Sequence, residues 1–345
     1  MMARRTSLIS TATLSLAALL SLSLLAGQAR GETEQTNTSS RYAMAIHGGA
    51  GTMSPKELSG KKEAAIRAAL NAALDAGESV LKRGGAALDA AQAAVTVLED
   101  SPLFNAGKGA VFNADGANEL DASIMDGRSR KAGAVAGVHR VKNPILLARA
   151  VMDQSAHVML VGDGAEAFAK TVGVELVEPS YFYTKFRWNQ LQAARRAQAR
   201  QPLSAPAYFG TVGAVVLDQA GNLAAATSTG GMTNKRWGRV GDSPIIGAGN
   251  WADDQCAVSA TGWGEYYIRL GIAQDICARV RYRGDHLQTA AEQVIMHDLP
   301  TAGGDGGAIA IDKHGHIALP FNTQGMYRAW LSTDGERGVA VFREP

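Results

Sequence analysis

Cysteine is almost missing from this 345-residue chain, which has only Cys256 and Cys277. Two cysteines build neither a disulfide scaffold nor a structural zinc site. Both stand in apolar surroundings, which reads as a pair of buried free thiols. Charge of one sign is missing as well: 34 Lys and Arg against 32 Asp and Glu leave a net charge of +2. That balance provides no electrostatic footprint for nucleic acid and no polybasic membrane patch. The cluster Arg195, Arg196 and Arg200 lies in a polar stretch and reads as solvated surface. His47, His139, His157, His286, His297, His314 and His316 show no metal-ligand spacing beyond His314 and His316, which share a turn, so a metal-dependent hydrolase is disfavoured.

Long apolar runs are absent save one. Arg4 and Arg5 precede an apolar run over 8–25, and Gly27-Gln-Ala29 follows it. A charged start, an apolar middle and small residues at the end describe a secretory signal peptide over 1–29. This predicts an exported protein, periplasmic or secreted, with a polar stretch over 30–40 and folded structure from 41. No other stretch is apolar and long enough to span a bilayer.

The remaining chain is 46% hydrophobic over its full length, enough for a sizeable core. Strand patterns fall at 42–47, 119–125, 132–138, 158–161, 211–217, 223–229, 256–259, 307–311, 316–320 and 338–342. Helical spacing falls at 61–82, 87–98, 145–152, 165–172, 265–282 and 286–298. Strands come in runs and helices in pairs, which favours an α+β fold with antiparallel sheets under helix layers. Residues 181–209 are polar, carry Pro202 and Pro206, and read as a linker, partly helical at its start.

The linker ends at Gly210, and a buried-looking strand starts abruptly at Thr211. A hydroxyl is a weak nucleophile until a base stands beside it. If Thr211 were the first residue of a chain, its own α-amine, with an ordinary pKa of about 7.7–8, would supply that base. Reaching that state means breaking the bond after Gly210, a residue whose lack of Cβ admits strained geometry. Downstream lie Thr227-Ser-Thr-Gly-Gly-Met-Thr-Asn234, Arg239-Val-Gly-Asp242 and Ser259-Ala-Thr-Gly-Trp-Gly264. Arg239 and Asp242 could grip the two poles of an amino acid. The last stretch could aim a hydroxyl and an N–H at a developing oxyanion.

These segments, together with Ile46-His-Gly-Gly-Ala-Gly51, Leu103-Phe-Asn-Ala-Gly107, Glu119-Leu-Asp-Ala122, Met125-Asp-Gly127 and Pro320-Phe-Asn-Thr323, closely resemble the plant-type asparaginase and isoaspartyl aminopeptidase family of N-terminal-nucleophile hydrolases. The resemblance covers 42–345 and implies a four-layer αββα sandwich, with an α subunit over 41–210 and a β subunit over 211–345. It implies that Thr211 is the nucleophile freed by cleavage after Gly210, and that Thr229 hydrogen-bonds the nucleophile region. Arg239 and Asp242 correspond to the substrate clamp, with Val240 and Gly241 between them. Thr261 and Gly262 correspond to the oxyanion hole, and Asn105 to an active-site asparagine from the N-terminal half. Trp263, bulky where relatives carry something smaller, and Gly264 border the leaving-group side. The resemblance further implies a structural sodium on backbone carbonyls of Leu98, Glu99, Ser101, Phe104, Ala106 and Lys108, no cofactor for the chemistry, and a homodimer of cleaved αβ units.

The implied substrates are small molecules, asparagine and β-aspartyl dipeptides. Glycosylasparaginase shares this fold and nucleophile, but Gly210 before Thr211 favours the asparaginase branch. A secreted amino-acid binding protein using Arg239 and Asp242 is the alternative from another class; it would have no need to cut itself.

Overall fold

The computed structural model describes residues 42–51, 58–200 and 210–343. The signal peptide over 1–29, the stretch over 30–40 and the linker's last part, 201–209, lie outside the described residues.

Eight strands form one sheet in the order β12-β11-β1-β5-β6-β2-β3-β4: β1 (Ala43–Gly51), β2 (Leu120–Asp126), β3 (Ala132–Val138), β4 (Met159–Val161), β5 (Val212–Leu217), β6 (Leu223–Thr229), β11 (Gly325–Leu331) and β12 (Arg337–Phe342). All neighbours are antiparallel except β3 and β4. A second, four-stranded sheet has the order β10-β9-β8-β7, from β7 (Asn250–Ala252), β8 (Cys256–Gly262), β9 (Gly306–Asp312) and β10 (Ile317–Ala318). Helices α1 (Gly60–Lys82), α2 (Ala87–Glu99) and α3 (Pro144–Gln154) cover the large sheet. Helices α4 (Gly162–Thr171) and α5 (Lys185–Arg200) follow in the chain. Across the molecule, α6 (Gly264–Leu270), α7 (Ile272–Ala278) and α8 (Leu287–Glu292) cover the small sheet; α7 and α8 each run on into a π-helical turn.

Strand alternation builds the layers. Side chains of successive strand residues point to opposite faces. On β1, Met44 and Ile46 face the helices while Ala43 and Ala45 face the second sheet. On β9, Ala308 and Ala310 face α7 and α8 while Ile309 and Ile311 meet the large sheet. Three apolar layers separate four structural ones, as the expected αββα sandwich requires.

The polar stretch over 181–209, read as a linker helical at its start, forms α5 over 185–200, anchored by Arg187, Leu191 and the Trp188 ring, which packs edge-on against Phe112. One reading is corrected. Cys256 and Cys277 are not free thiols but a disulfide, with Cα atoms 5.4 Å apart. Cys256 faces outward from β8 onto α7, and the fold brings together two positions whose 21-residue separation carries no pairing signal. Strands β7 and β11 went unrecognised; β11, with Tyr327, Arg328 and Trp330, lacks a clean alternation.

Candidate active site

Three strand ends converge. In the antiparallel β5–β6 pair, Val212 lies opposite Ser228, so Thr211, just before β5, stands across from Thr229, the last residue of β6. The Thr211 hydroxyl donates to Thr229 Oγ1 at 3.1 Å, and Gly231 N–H donates to the same oxygen at 3.1 Å. Thr211 is buried, only 7% exposed. Asn105, from the loop after α2, donates through Nδ2 to the Gly210 carbonyl at 3.0 Å and to the Gly231 carbonyl at 2.7 Å. The bond proposed for cleavage therefore has a donor on its carbonyl oxygen and a hydroxyl on its other side. Gly210 has φ +68°, and its Cα lies 2.2 Å from where a Cβ on Gly49 would stand, so two glycines make this approach possible.

Thr261 comes from the second sheet, near the end of β8. Its Oγ1 accepts the Ala50 N–H at 3.1 Å, which leaves the hydroxyl proton free to donate elsewhere. Gly262 admits no side chain: a Cβ would fall 2.5 Å from the Asp305 carbonyl oxygen.

Each of the two clamp residues has its own surroundings. Arg239 makes its ion pair with Glu265 on α6, Nε to Oε1 and Nη2 to Oε2, both at 2.9 Å, and not with Asp242. Burial opposes charge on Glu265, but the hydrogen bonds and charge of Arg239, with a further bond from the Trp263 side chain, hold its pKa below the usual range. Asp242 is buried, and its Oδ2 has no hydrogen-bond partner among the described residues. Burial, only partly offset by Arg239, pushes its carboxyl up to about 7. A Cβ on Gly264 would fall 2.8 Å from Arg239 Nη2 and 2.9 Å from Asp242 Oδ1, so the guanidinium and the carboxylate face one gap, kept open by that glycine. A Cβ on Gly241 would likewise fall 2.8 Å from Arg239 Nη1, and Val240 is half-buried between the two clamp residues in the chain. Trp263 packs edge-on against Tyr266, ring centroids 5.1 Å apart.

Several residues at the site carried no readable signal. His47 Nδ1 lies 3.0 Å from the Thr211 carbonyl oxygen and Nε2 3.0 Å from Ser259 Oγ. A carbonyl only accepts, so Nδ1 bears the proton and Ser259 donates to Nε2. Burial pushes His47 down to about 3, which keeps the ring neutral. Lys235 is buried between Glu119 (3.3 Å) and Asp121 (3.8 Å) beneath the 229–231 turn. Charged residues in a glycine-rich stretch look like surface until the fold buries them.

The 98–108 loop, for which a sodium ion was expected, is tightly folded on its glycines. A Cβ on Gly107 would fall 2.4 Å from the Glu99 carbonyl oxygen, and one on Gly109 2.1 Å from that of Phe104. The loop thus turns main-chain oxygens inward onto glycines. The Leu98 carbonyl accepts the Ser101 N–H at 3.3 Å and the Ala106 carbonyl the Gly109 N–H at 3.1 Å. Neutral oxygens suit a hard monovalent cation. Among the described residues no group of three His, Cys, Asp or Glu could hold a metal ion.

Comparison with known proteins decides the lineage. The asparaginase family matches residues 40–341. The chain belongs to the asparaginase family. It is 52% identical over 311 residues to an isoaspartyl peptidase of Escherichia coli (strain K12), covering 88% of this chain and 97% of that protein. It is 50% identical to an isoaspartyl peptidase of Salmonella typhimurium, covering 88% and 99%. It is 42% identical to an isoaspartyl peptidase/L-asparaginase of Mus musculus, covering 81% and 85%. The family's hydrolytic chemistry thus meets a site in which Thr211, Thr229, Asn105, Arg239 and Asp242 occupy one region, with Thr261 and Gly262 facing it from the second sheet.

Proposed function

We propose that this chain is an amidohydrolase that activates itself by cutting after Gly210, then hydrolyses L-asparagine to aspartate and ammonia and cleaves N-terminal β-aspartyl dipeptides. The observation that carries the proposal is the placement of Thr211: its hydroxyl is held by Thr229 at 3.1 Å, and the neighbouring Gly210 carbonyl is held by Asn105 at 3.0 Å. In the uncut chain the Thr211 hydroxyl attacks the Gly210 carbonyl carbon, the acyl group shifts from nitrogen to oxygen, and water hydrolyses the ester. The freed amine then takes the proton from the same hydroxyl. That oxygen attacks the substrate's side-chain carbonyl, the Thr261 hydroxyl and Gly262 N–H face the oxyanion, ammonia or an amino acid leaves, and water releases aspartate. Arg239 takes the α-carboxylate and Asp242 the α-ammonium, which restores Asp242 to its charged form. Trp263 borders the leaving group.

The carbonyls of the 98–108 loop would hold a sodium ion that stiffens the segment carrying Asn105. We also assign the active form as a homodimer of cleaved units, and the first 29 residues as a signal for export. The disulfide supports export, because such bonds persist in oxidising compartments. Thr211→Ala is expected to leave a single chain with no asparaginase activity, against two fragments, one starting at Thr211, from the wild type. Intact mass and N-terminal sequencing read this directly, and a cut, active Thr211→Ala protein would sink the mechanism.

A further inference from the structure

A cleft of about 280 Å³ opens beside the cleavage position, lined by Gly49, Asn105, Gly210, Lys62 and Arg187 among others. Among the described residues, two cations and no acidic side chain line it. Arg187 is only 4% exposed. Its Nε donates to the Gly109 carbonyl at 2.7 Å and its Nη1 to Gln190 Oε1 at 3.0 Å, both neutral acceptors. No carboxylate among the described residues pairs with it. Lys62 lies half-buried, its ammonium 4.1 Å from the Phe186 ring centroid, likewise without a carboxylate among the described residues. Burial lowers the pKa of both groups, that of Arg187 to about 10, and Arg187 further disfavours charge on Lys62.

A buried guanidinium without a counter-ion is costly, and paired cations are the usual resolution of that cost. The bonds to Gly109 and Gln190 satisfy two of the Arg187 N–H groups but leave its charge unbalanced. The missing anion has a source at the cleft itself. Cleavage adds the hydroxyl of water to the Gly210 carbonyl carbon and a proton to the Thr211 nitrogen, so a neutral amide becomes a carboxylate and an amine. We propose that the cleft is a carboxylate site, with Lys62 and Arg187 as its cations, that takes the Gly210 carboxylate created by cleavage. The proposal rests on the cleavage reading above. A terminal carboxylate is the ligand chemistry, and the leaving amino acid of a β-aspartyl dipeptide carries the same group as a second source.

The test uses the full chain as wild type, Lys62→Gln and Arg187→Gln, each left to cleave to completion and then treated with a broad-specificity carboxypeptidase. The mass of the N-terminal fragment reads the loss of Gly210. In parallel, KM is measured for a β-aspartyl dipeptide with a free and with an amidated C-terminus. Retention of Gly210 at least about tenfold longer in wild type than in the variants places the Gly210 carboxylate in the cleft. A KM penalty for the amide of about tenfold in wild type, absent in Lys62→Gln, places the substrate's carboxylate there instead. Equal trimming together with equal KM ratios would overturn the proposal while leaving the cleavage reading intact. A wild-type chain that stays uncut would overturn both. Should Arg187→Gln fail to fold, the half-buried Lys62→Gln decides alone.

Discussion

Thr211, Thr229 and Thr261 share one side chain, and their surroundings divide the labour among them. Thr211 donates its proton to Thr229, so its oxygen keeps lone pairs for attack; Thr261 accepts from Ala50 and keeps its proton to give. In the proposed cleavage Asn105 acts on the first step, since the oxygen it holds is the one on which charge develops when Gly210 is attacked. Asn105→Ala is expected to slow cleavage by about 10²–10³, followed by gel densitometry of the two fragments against time; cleavage at the wild-type rate would remove Asn105 from that step. Asp242 has a different signature. Its ligand-free carboxyl sits at about 7, so below that pH it is increasingly neutral and cannot attract an ammonium. The ratio of kcat/KM for asparagine to that for succinamate, which lacks the α-amine, is expected to fall about tenfold per pH unit below 7. Taking the ratio cancels the titration of the Thr211 amine. A ratio flat from pH 5 to 8 would show that Asp242 does not read the ammonium.

At the scale of elements, β8 and the helices after it form one working unit. β8 ends in Thr261 and Gly262, the chain turns through Trp263, and α6 begins with Gly264 and Glu265, so the proposed oxyanion donors and the carboxylate paired with Arg239 lie within five residues. Glu265→Gln keeps the shape but removes the charge on which the two-pronged grip depends. It is expected to raise KM for asparagine by about tenfold with kcat nearly unchanged, because Arg239 binds ground state and transition state alike. An equal fall in kcat with KM constant would assign Glu265 to the chemical step. The disulfide staples the start of β8 to α7. Cys256→Ala with Cys277→Ala opens a 21-residue loop, and a loss of about 3 kcal/mol is expected from the urea midpoint.

Over the whole molecule, the layers were legible because β2, β3, β5, β6 and β9 are short apolar runs bounded by turn residues, and Thr211, Thr229 and Thr261 stood out because glycines and hydroxyls cluster at strand ends. What stayed hidden depends on distant pairing: the seam of α5 is two or three residues in a polar helix, the disulfide joins positions without a spacing rule, and Glu265 looks like any first-turn acid. His47 was hidden for the same reason, since its partners lie 164 and 212 residues away. It joins the two sheets through Ser259, whose Oγ is 2.7 Å from Thr227 Oγ1, and Asn250 Nδ2 reaches the same threonine at 3.3 Å. This polar column passes through an otherwise alanine-rich interface, directly behind the nucleophile. Burial holds His47 down at about 3, against an ordinary 6.5 in the unfolded chain. Between those values the unfolded chain binds a proton that the folded protein refuses, so this residue's contribution to stability falls as pH drops below 6.5 and is constant above it. His47→Gln cannot take that proton in either state. The stability difference between wild type and His47→Gln, from urea unfolding at pH 4.5 to 8, is expected to shrink by up to about 1.4 kcal/mol per pH unit below 6.5. A difference independent of pH would mean that the imidazole takes up its proton in the folded protein as readily as in the unfolded chain, and the neutral tautomer assigned to the Thr211 contact would then not persist below 6.5.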